Sequence, residues 1–226
     1  LGKIGVIVYE YNEAVYQDHV LVPYHLIETS TKITDDGLTY EKLDEEEREQ
    51  YEDEFCEDDG LVDHIPPEKI NTYIFNRDTV DIMISDLMNH GIKHKNGNHV
   101  GKTIIFAQNK RHAKYIIERF DVLYPQYKGA FCKLVVCDEP YAEKNLEDFK
   151  KPDEYPFITV TVDMLETGVD VPEITNLVFA KKVYSRIKFE QMIGRGTRLC
   201  ENLFGEGRDK IRNLRDIHTG LQHIHR

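Results

Sequence analysis

The sequence predicts an α/β fold, a parallel sheet with helices on both faces, on two observations. Short runs of continuous apolar character recur as KTIIFA (102–107), FCKLVVC (131–137), FITVTV (157–162) and NLVFAKK (176–182). Between them lie stretches of helical spacing, and apolar strands separated by helices belong to a sheet buried on both sides.

Residues 1–60 form a leading segment. Two apolar patches, IGVIVYEY and HVLVPYHLIE, flank YNEAVYQD, and the second patch, with β-branched and aromatic residues and a proline, reads as strand. The acidic stretch EKLDEEEREQYEDEFCEDD (41–59) reads as a solvated helix or a loop, because Leu43, Tyr51 and Phe55 give it only a thin apolar face.

Residues 61–210 carry the main domain. In PPEKINTYIF a proline opens a helix with Ile70, Tyr73 and Ile74 on one side. NRDTVDIMISDLMNHG follows, with Val80, Ile82, Met83, Leu87 and Met88 in period and Gly91 as the stop. The alternating part then predicts helices at 111–124, at 143–151 and in KFEQMIG. Residues 211–226 keep helical spacing at Ile211, Leu214, Ile217, Leu221 and Ile224, which predicts a C-terminal helix.

The net charge of −12 argues against nucleic-acid binding only until its distribution is seen. Residues 41–59 hold twelve acids and two bases, so the rest of the chain is nearly neutral. Residues 181–198 instead hold six bases (Lys181, Lys182, Arg186, Lys188, Arg195, Arg198) against Glu190. Leu1 stands where an initiator methionine would, so a fragment of a longer chain is expected. No apolar run reaches the roughly 20 residues of a membrane span and no leader opens the chain, which predicts a soluble, cytoplasmic protein.

Cys56, Cys132, Cys137 and Cys200 fit neither a disulfide framework nor a paired zinc-site spacing, and free thiols in a reducing compartment are expected. The ten histidines are scattered, and no metal site is expected.

Chemistry concentrates in two stretches. In QMIGRGTR, Arg195 and Arg198 are three apart and would share one side of a helical turn if the helix continues. Two planar guanidinium forks suit a phosphate, and Gly194 beside them permits close approach. The same arginines could equally pair with acids of this acidic chain. In VTVDMLETGVDVPEI (160–174), Gly168 can turn the chain and Asp170 can offer a carboxylate to a ribose hydroxyl or an arginine, although a plain turn fits as well.

Taken together, the segments resemble the second RecA-like motor domain of superfamily-two helicases and translocases, a P-loop NTPase-like fold. KTIIFAQN is similar to that family's fourth motif, VTVDMLETGVDVPE to its fifth and QMIGRGTR to its sixth, in the right order. A closer likeness, from DMLETGVDVPEITNLVFAKKV through KFEQMIGRGTRLCENLFGEGRDK and including VLVPYHLIE, EEEREQYEDEF and FNRDTVDIMISDLM, is to the R subunit of type I restriction enzymes. DEAD/DEAH-type DNA helicases of restriction and repair, and a non-catalytic α/β protein-binding module, remain the alternatives.

The resemblance implies half of a motor. ATP and Mg would be held mainly by an N-terminal RecA-like domain, since neither G-x-x-x-x-G-K-[ST] nor D-E-x-[DH] after a suitable strand occurs here. Arg195 and Arg198 would reach the γ-phosphate as arginine fingers. Gln191 and Gly194 would sit at the nucleotide, with Gly168 and Asp170 contacting ribose or supporting the arginines. Asn109, Lys110, Thr161 and Asp163 would contact the backbone of double-stranded DNA, with Val162 standing where many helicases have threonine. Methylation and specificity subunits of a restriction complex would be further partners, and the isolated fragment would not hydrolyse ATP.

Overall fold

The computed structural model describes residues 77–136, 139–162, 171–181, 183 and 185–210, and the shorter stretches 11–19, 21–23, 26–29, 38–39, 41, 48, 64–65 and 216–219. The helix expected at 66–75, most of the acidic run 41–59 and the loop 163–170 lie outside the described residues.

In chain order the elements are helix α1 (Tyr11–Tyr16), strands β1 (Leu26–Thr29), β2 (Leu38–Thr39) and β3 (His64–Ile65), helix α2 (Arg77–His90), strand β4 (Lys102–Ala107), helix α3 (Lys110–Leu123), strand β5 (Cys132–Leu134), helix α4 (Ala142–Phe149), strands β6 (Ile158–Thr161) and β7 (Ile174–Ala180), helix α5 (Arg186–Gly196) and strand β8 (Asp216–Thr219). Six strands form one sheet in the order β1-β8-β7-β4-β6-β5, and β2 and β3 form a separate antiparallel pair. Every pairing in the large sheet is parallel.

Parallel strands need crossovers, and the crossovers here build two cores. On one face, Ile105, Ala107, Ile158, Val160 and Val178 meet Val80, Met83, Ile84 and Leu87 of α2 and Ala113, Ile116 and Phe120 of α3. On the other, Ile104, Phe106, Leu177 and Phe179 meet Phe149 of α4 and Met192 and Ile193 of α5. Successive residues of β4 and β7 thus point into different cores, which is why both strands read as unbroken apolar runs.

The helix boundaries have local causes. Asn109 caps α3, its side-chain oxygen accepting from the His112 N–H at 2.9 Å. Gly91 closes α2 by donating to the Leu87 carbonyl at 2.8 Å, where an added Cβ would lie 2.5 Å from that same oxygen. A two-pronged ion pair, Arg119 Nε to Asp81 Oδ1 at 2.8 Å and Nη2 to Oδ2 at 2.6 Å, ties α3 to α2.

Asn176 ties a loop to the sheet from inside the core. Fully buried on β7, it accepts from the Ile92 N–H at 2.8 Å and donates to the Ile92 carbonyl at 3.1 Å. Two backbone groups of the 91–101 connection are thereby satisfied by one side chain far along the chain.

Two expectations change at the ends of the chain. Residues 216–219 are strand, where the spacing over 211–226 predicts a helix, because β7 offers an open parallel edge and Ile217 and His218 pair with Val178 and Phe179 on it. At the other end, YNEAVY is helix α1, and within HVLVPYHLIE only Leu26–Glu28, followed by Thr29, makes β1, beside β8.

Candidate functional site

The candidate residues fall at two places. All strands of the sheet run the same way, so Gln108 to Lys110 after β4, Val162 after β6 and Lys181 after β7 share its carboxyl end. Lys181 Nζ donates to the Val162 carbonyl and so spans the end of β4, which lies between β6 and β7. That bond anchors the start of the fifth motif.

The expected DNA-contacting residues differ in what they can offer here. Asn109 is exposed, but its side-chain oxygen is committed to capping α3. Lys110 is exposed and lies 2.7 Å from Glu139, which also meets Lys114 at 2.9 Å. Those hydrogen bonds, Lys110 first, hold the Glu139 carboxyl below its usual range. Thr161 is a correction: it is 3% exposed inside β6 and serves as a core residue, not a surface contact. The sheet is covered on both faces, so neither alternate position of β6 reaches solvent. Asp163, Gly168 and Asp170 lie outside the described residues.

Behind this edge sits His112, buried in the first turn of α3. The Gln108 N–H donates to its Nδ1 at 3.2 Å, which requires a neutral ring, and burial pushes its pKa down to about 3.

The second place is the exposed stripe of α5. Ser185 caps the helix by accepting from the Lys188 N–H at 3.3 Å, and Thr197 ends it, its N–H and hydroxyl both donating to the Ile193 carbonyl. Met192, Ile193 and Gly196 face the sheet. At 100° per residue the opposite side of the helix carries Ile187, Gln191 and Gly194, with Arg195 at its margin. Gln191 is exposed, Ile187 is 69% exposed, and an added Cβ on Gly194 would meet nothing within 4 Å. Arg195 is half-buried, and burial lowers its pKa.

The two glycines of the motif therefore have different causes. Gly196 is required by packing: a Cβ there would lie 2.8 Å from Leu177 Cδ1 on β7. Gly194 is not, and its open surroundings leave room for a ligand to approach the helix backbone.

Arg198 does not share a helical face with Arg195. The helix ends at Gly196, and Thr197, at φ −101° and ψ 7°, leaves the helical path while its N–H and hydroxyl both bond the Ile193 carbonyl. Arg198 then runs extended in an antiparallel bridge with Leu21, while the Val22 N–H donates to the Thr197 carbonyl at 2.7 Å. Arg195 stands about 13 Å along α5 from its start, next to Gly196 over the middle of β7. The arginines are thus on a face of the sheet, away from the edge that carries Asn109 and Lys110.

Two lysines have roles the sequence patterns do not disclose. GNHVGKT has the look of a shortened phosphate loop, yet Lys102 is buried and donates to the Glu154 and Pro156 carbonyls, each at 2.8 Å, with Phe149 and Phe157 rings beside it. It opens a strand, whereas a phosphate loop follows one. Lys210, also buried, donates to the Pro172 carbonyl at 2.7 Å and fastens the end of GEGRDK to the exit of the fifth motif. Among the described residues no cluster of His, Cys, Asp and Glu could hold a metal, and no helix is long and apolar enough to cross a membrane.

A parallel sheet covered by helices on both faces is a RecA-like arrangement. The helicase conserved C-terminal domain matches residues 79–200, more than half of the chain, and the chain belongs to that family. It is 39% identical over 131 residues to the type I restriction enzyme EcoKI endonuclease subunit of Escherichia coli (strain K12), covering 54% of this chain and 11% of that protein. A fragment structure assigned to the HsdR subunit of a type I restriction enzyme from Vibrio vulnificus YJ016 superposes with a TM-score of 0.54 at 20% identity, over 88% of this chain and 32% of that one. The ATP-dependent Type ISP restriction-modification enzyme LlaBIII bound to DNA gives 0.51 at 15% identity, over 94% of this chain and 13% of that one. The two structural likenesses concern the fold. The chain spans only a minor part of each relative.

Proposed function

We propose that this chain is the second motor domain of an ATP-dependent DNA translocase, the R subunit of a type I restriction enzyme. In this reading it supplies Arg195 and Arg198 to an ATP site shared with a preceding RecA-like domain in the same polypeptide. The observation that carries it is the exposed stripe of α5, where Gln191, Gly194 and Arg195 lie together and Gly194 leaves the backbone open. Arg195 is half-buried beside the open Gly194, and its planar guanidinium is suited to a phosphate lying against the helix.

ATP would supply the phosphoryl group and Mg the neutralising charge, both held mainly by the preceding domain. Arg195 and Arg198 would stabilise the negative charge that develops on the transferred group, worth roughly 10³ to 10⁵ in rate. Gln191 would orient the nucleotide, and Gly194 would let it lie against the helix. Gly168 and Asp170 complete the nucleotide side in this reading, and Asn109, Lys110 and Asp163 line a path for the backbone of double-stranded DNA. The spacing between the arginine face and the Asn109 edge suits a domain that takes nucleotide and DNA at different surfaces. Methylation and specificity subunits would complete the complex in the cytoplasm.

The test is Arg198→Ala in the full-length R subunit. DNA-stimulated ATP turnover should fall by at least a thousandfold, with nucleotide binding largely retained, and the isolated domain should not hydrolyse ATP. Unchanged turnover in the variant sinks the assignment.

A further inference from the structure

Arg198 carries half of the proposed chemistry without the support of a helix. The Thr197 cap ends α5, and a residue beyond a cap is free to turn unless something else fixes it. What fixes it is the leading segment. Leu21 bridges Arg198, the Val22 N–H donates to the Thr197 carbonyl at 2.7 Å, and Val22 is wholly buried. The Leu21 N–H in turn donates to the Ala14 carbonyl at 3.2 Å, and Ala14 and Val15 of α1 are buried. Helix, turn and bridge form one closed unit against the backbone of the arginine motif.

We infer that residues 11–19 and 21–22 are a positioning strap for Arg198, with Val22 its key contact, holding the backbone from which the arginine extends. This rests on the motor reading above. The bridge at Leu21 and the Val22 bond hold the backbone of Thr197 and Arg198 from outside α5. Val22 is a positioning residue: it touches the backbone beside the arginine and nothing of the nucleotide.

The experiment compares Val22→Pro, which removes the donor, with Val22→Ala, which keeps it, in the full-length R subunit. Val22→Pro should lower kcat for DNA-stimulated ATP turnover by about ten- to a hundredfold and leave KM for ATP within about twofold. Val22→Ala should keep kcat near that of the parent, although it too costs stability by emptying a buried position. Full kcat in a folded Val22→Pro protein overturns the strap, provided that Arg198→Ala abolishes turnover; if Arg198→Ala does not, the motor reading itself fails. Should Val22→Pro not fold, amide hydrogen exchange of the unmodified protein decides. The Val22 amide should be protected, and more so with DNA and a non-hydrolysable ATP analogue; exchange at the rate of an unstructured peptide overturns the proposal.

Discussion

Gly196 and Leu177 touch with no space between them, a Cβ on the glycine falling 2.8 Å from Leu177 Cδ1, while Gly194, one position before Arg195 on the same helix, faces open surroundings. The pair predicts opposite behaviour for the same substitution. Gly196→Ala should destabilise the protein by about 1–3 kcal/mol through overpacking. Gly194→Ala should leave stability unchanged or raise it by up to about 1 kcal/mol, yet reduce ATP turnover in the full-length protein. Thermal unfolding and turnover measured on both variants separate the packing glycine from the site glycine; equal stability loss at the two positions would refute the distinction.

Asn176 carries a second prediction. Its carboxamide satisfies both backbone groups of Ile92 and also donates to Thr103 and Thr175 hydroxyls, all inside the core. Asn176→Leu keeps the volume but strands the Ile92 N–H, while the Ile92 carbonyl keeps its bond from the Gly101 N–H at 2.8 Å, so a loss of roughly 1–3 kcal/mol is expected. Denaturant unfolding reads the cost, and faster amide exchange at Ile92 identifies its origin.

His112 predicts a pH dependence. Its folded pKa of about 3 lies below the ordinary 6.5, so the native state holds fewer protons than the unfolded chain between these values. The stabilisation is complete above pH 6.5 and is lost as pH falls toward 3, at a slope approaching 1.4 kcal/mol per pH unit. His112→Phe removes that proton from the slope, at a constant cost of about 1 kcal/mol for the unmet Gln108 N–H. Stability measured from pH 7 to pH 4 in both proteins gives the comparison; parallel curves would count against a neutral buried imidazole.

The sheet and its crossover helices were legible because their causes are local. KTIIFA and NLVFAKK each feed two cores and FITVTV one, and α3 is capped by Asn109 immediately before its apolar stripe. Arg198 misled because the i, i+3 spacing does not register that α5 stops at Gly196. The spacing from Ile211 to Ile224 misled for a different reason: the edge of β7 is a tertiary partner, and periodicity cannot register it. Lys102 and Lys210 were invisible as buried groups, since the Glu154, Pro156 and Pro172 carbonyls that hold them lie far off in sequence. Around the candidate site, helix α5 could be read directly, whereas the Leu21–Val22 bridge to the arginine turn had no sequence signal at all.

The sheet order places β8 between β1 and β7, pairing Leu26 with Asp216 and Val178 with Ile217. A pairing across nearly the whole chain closes a very long loop, and such contacts form slowly and late. During synthesis, α2 to α5 and strands β4 to β7 can condense first, leaving the outer edge of β7 bare until residues 216–219 emerge. Of the strands in this sheet, β1 is therefore the last to be seated, and while it waits that flank is the surface at which the folding chain is open to mispairing with its neighbours.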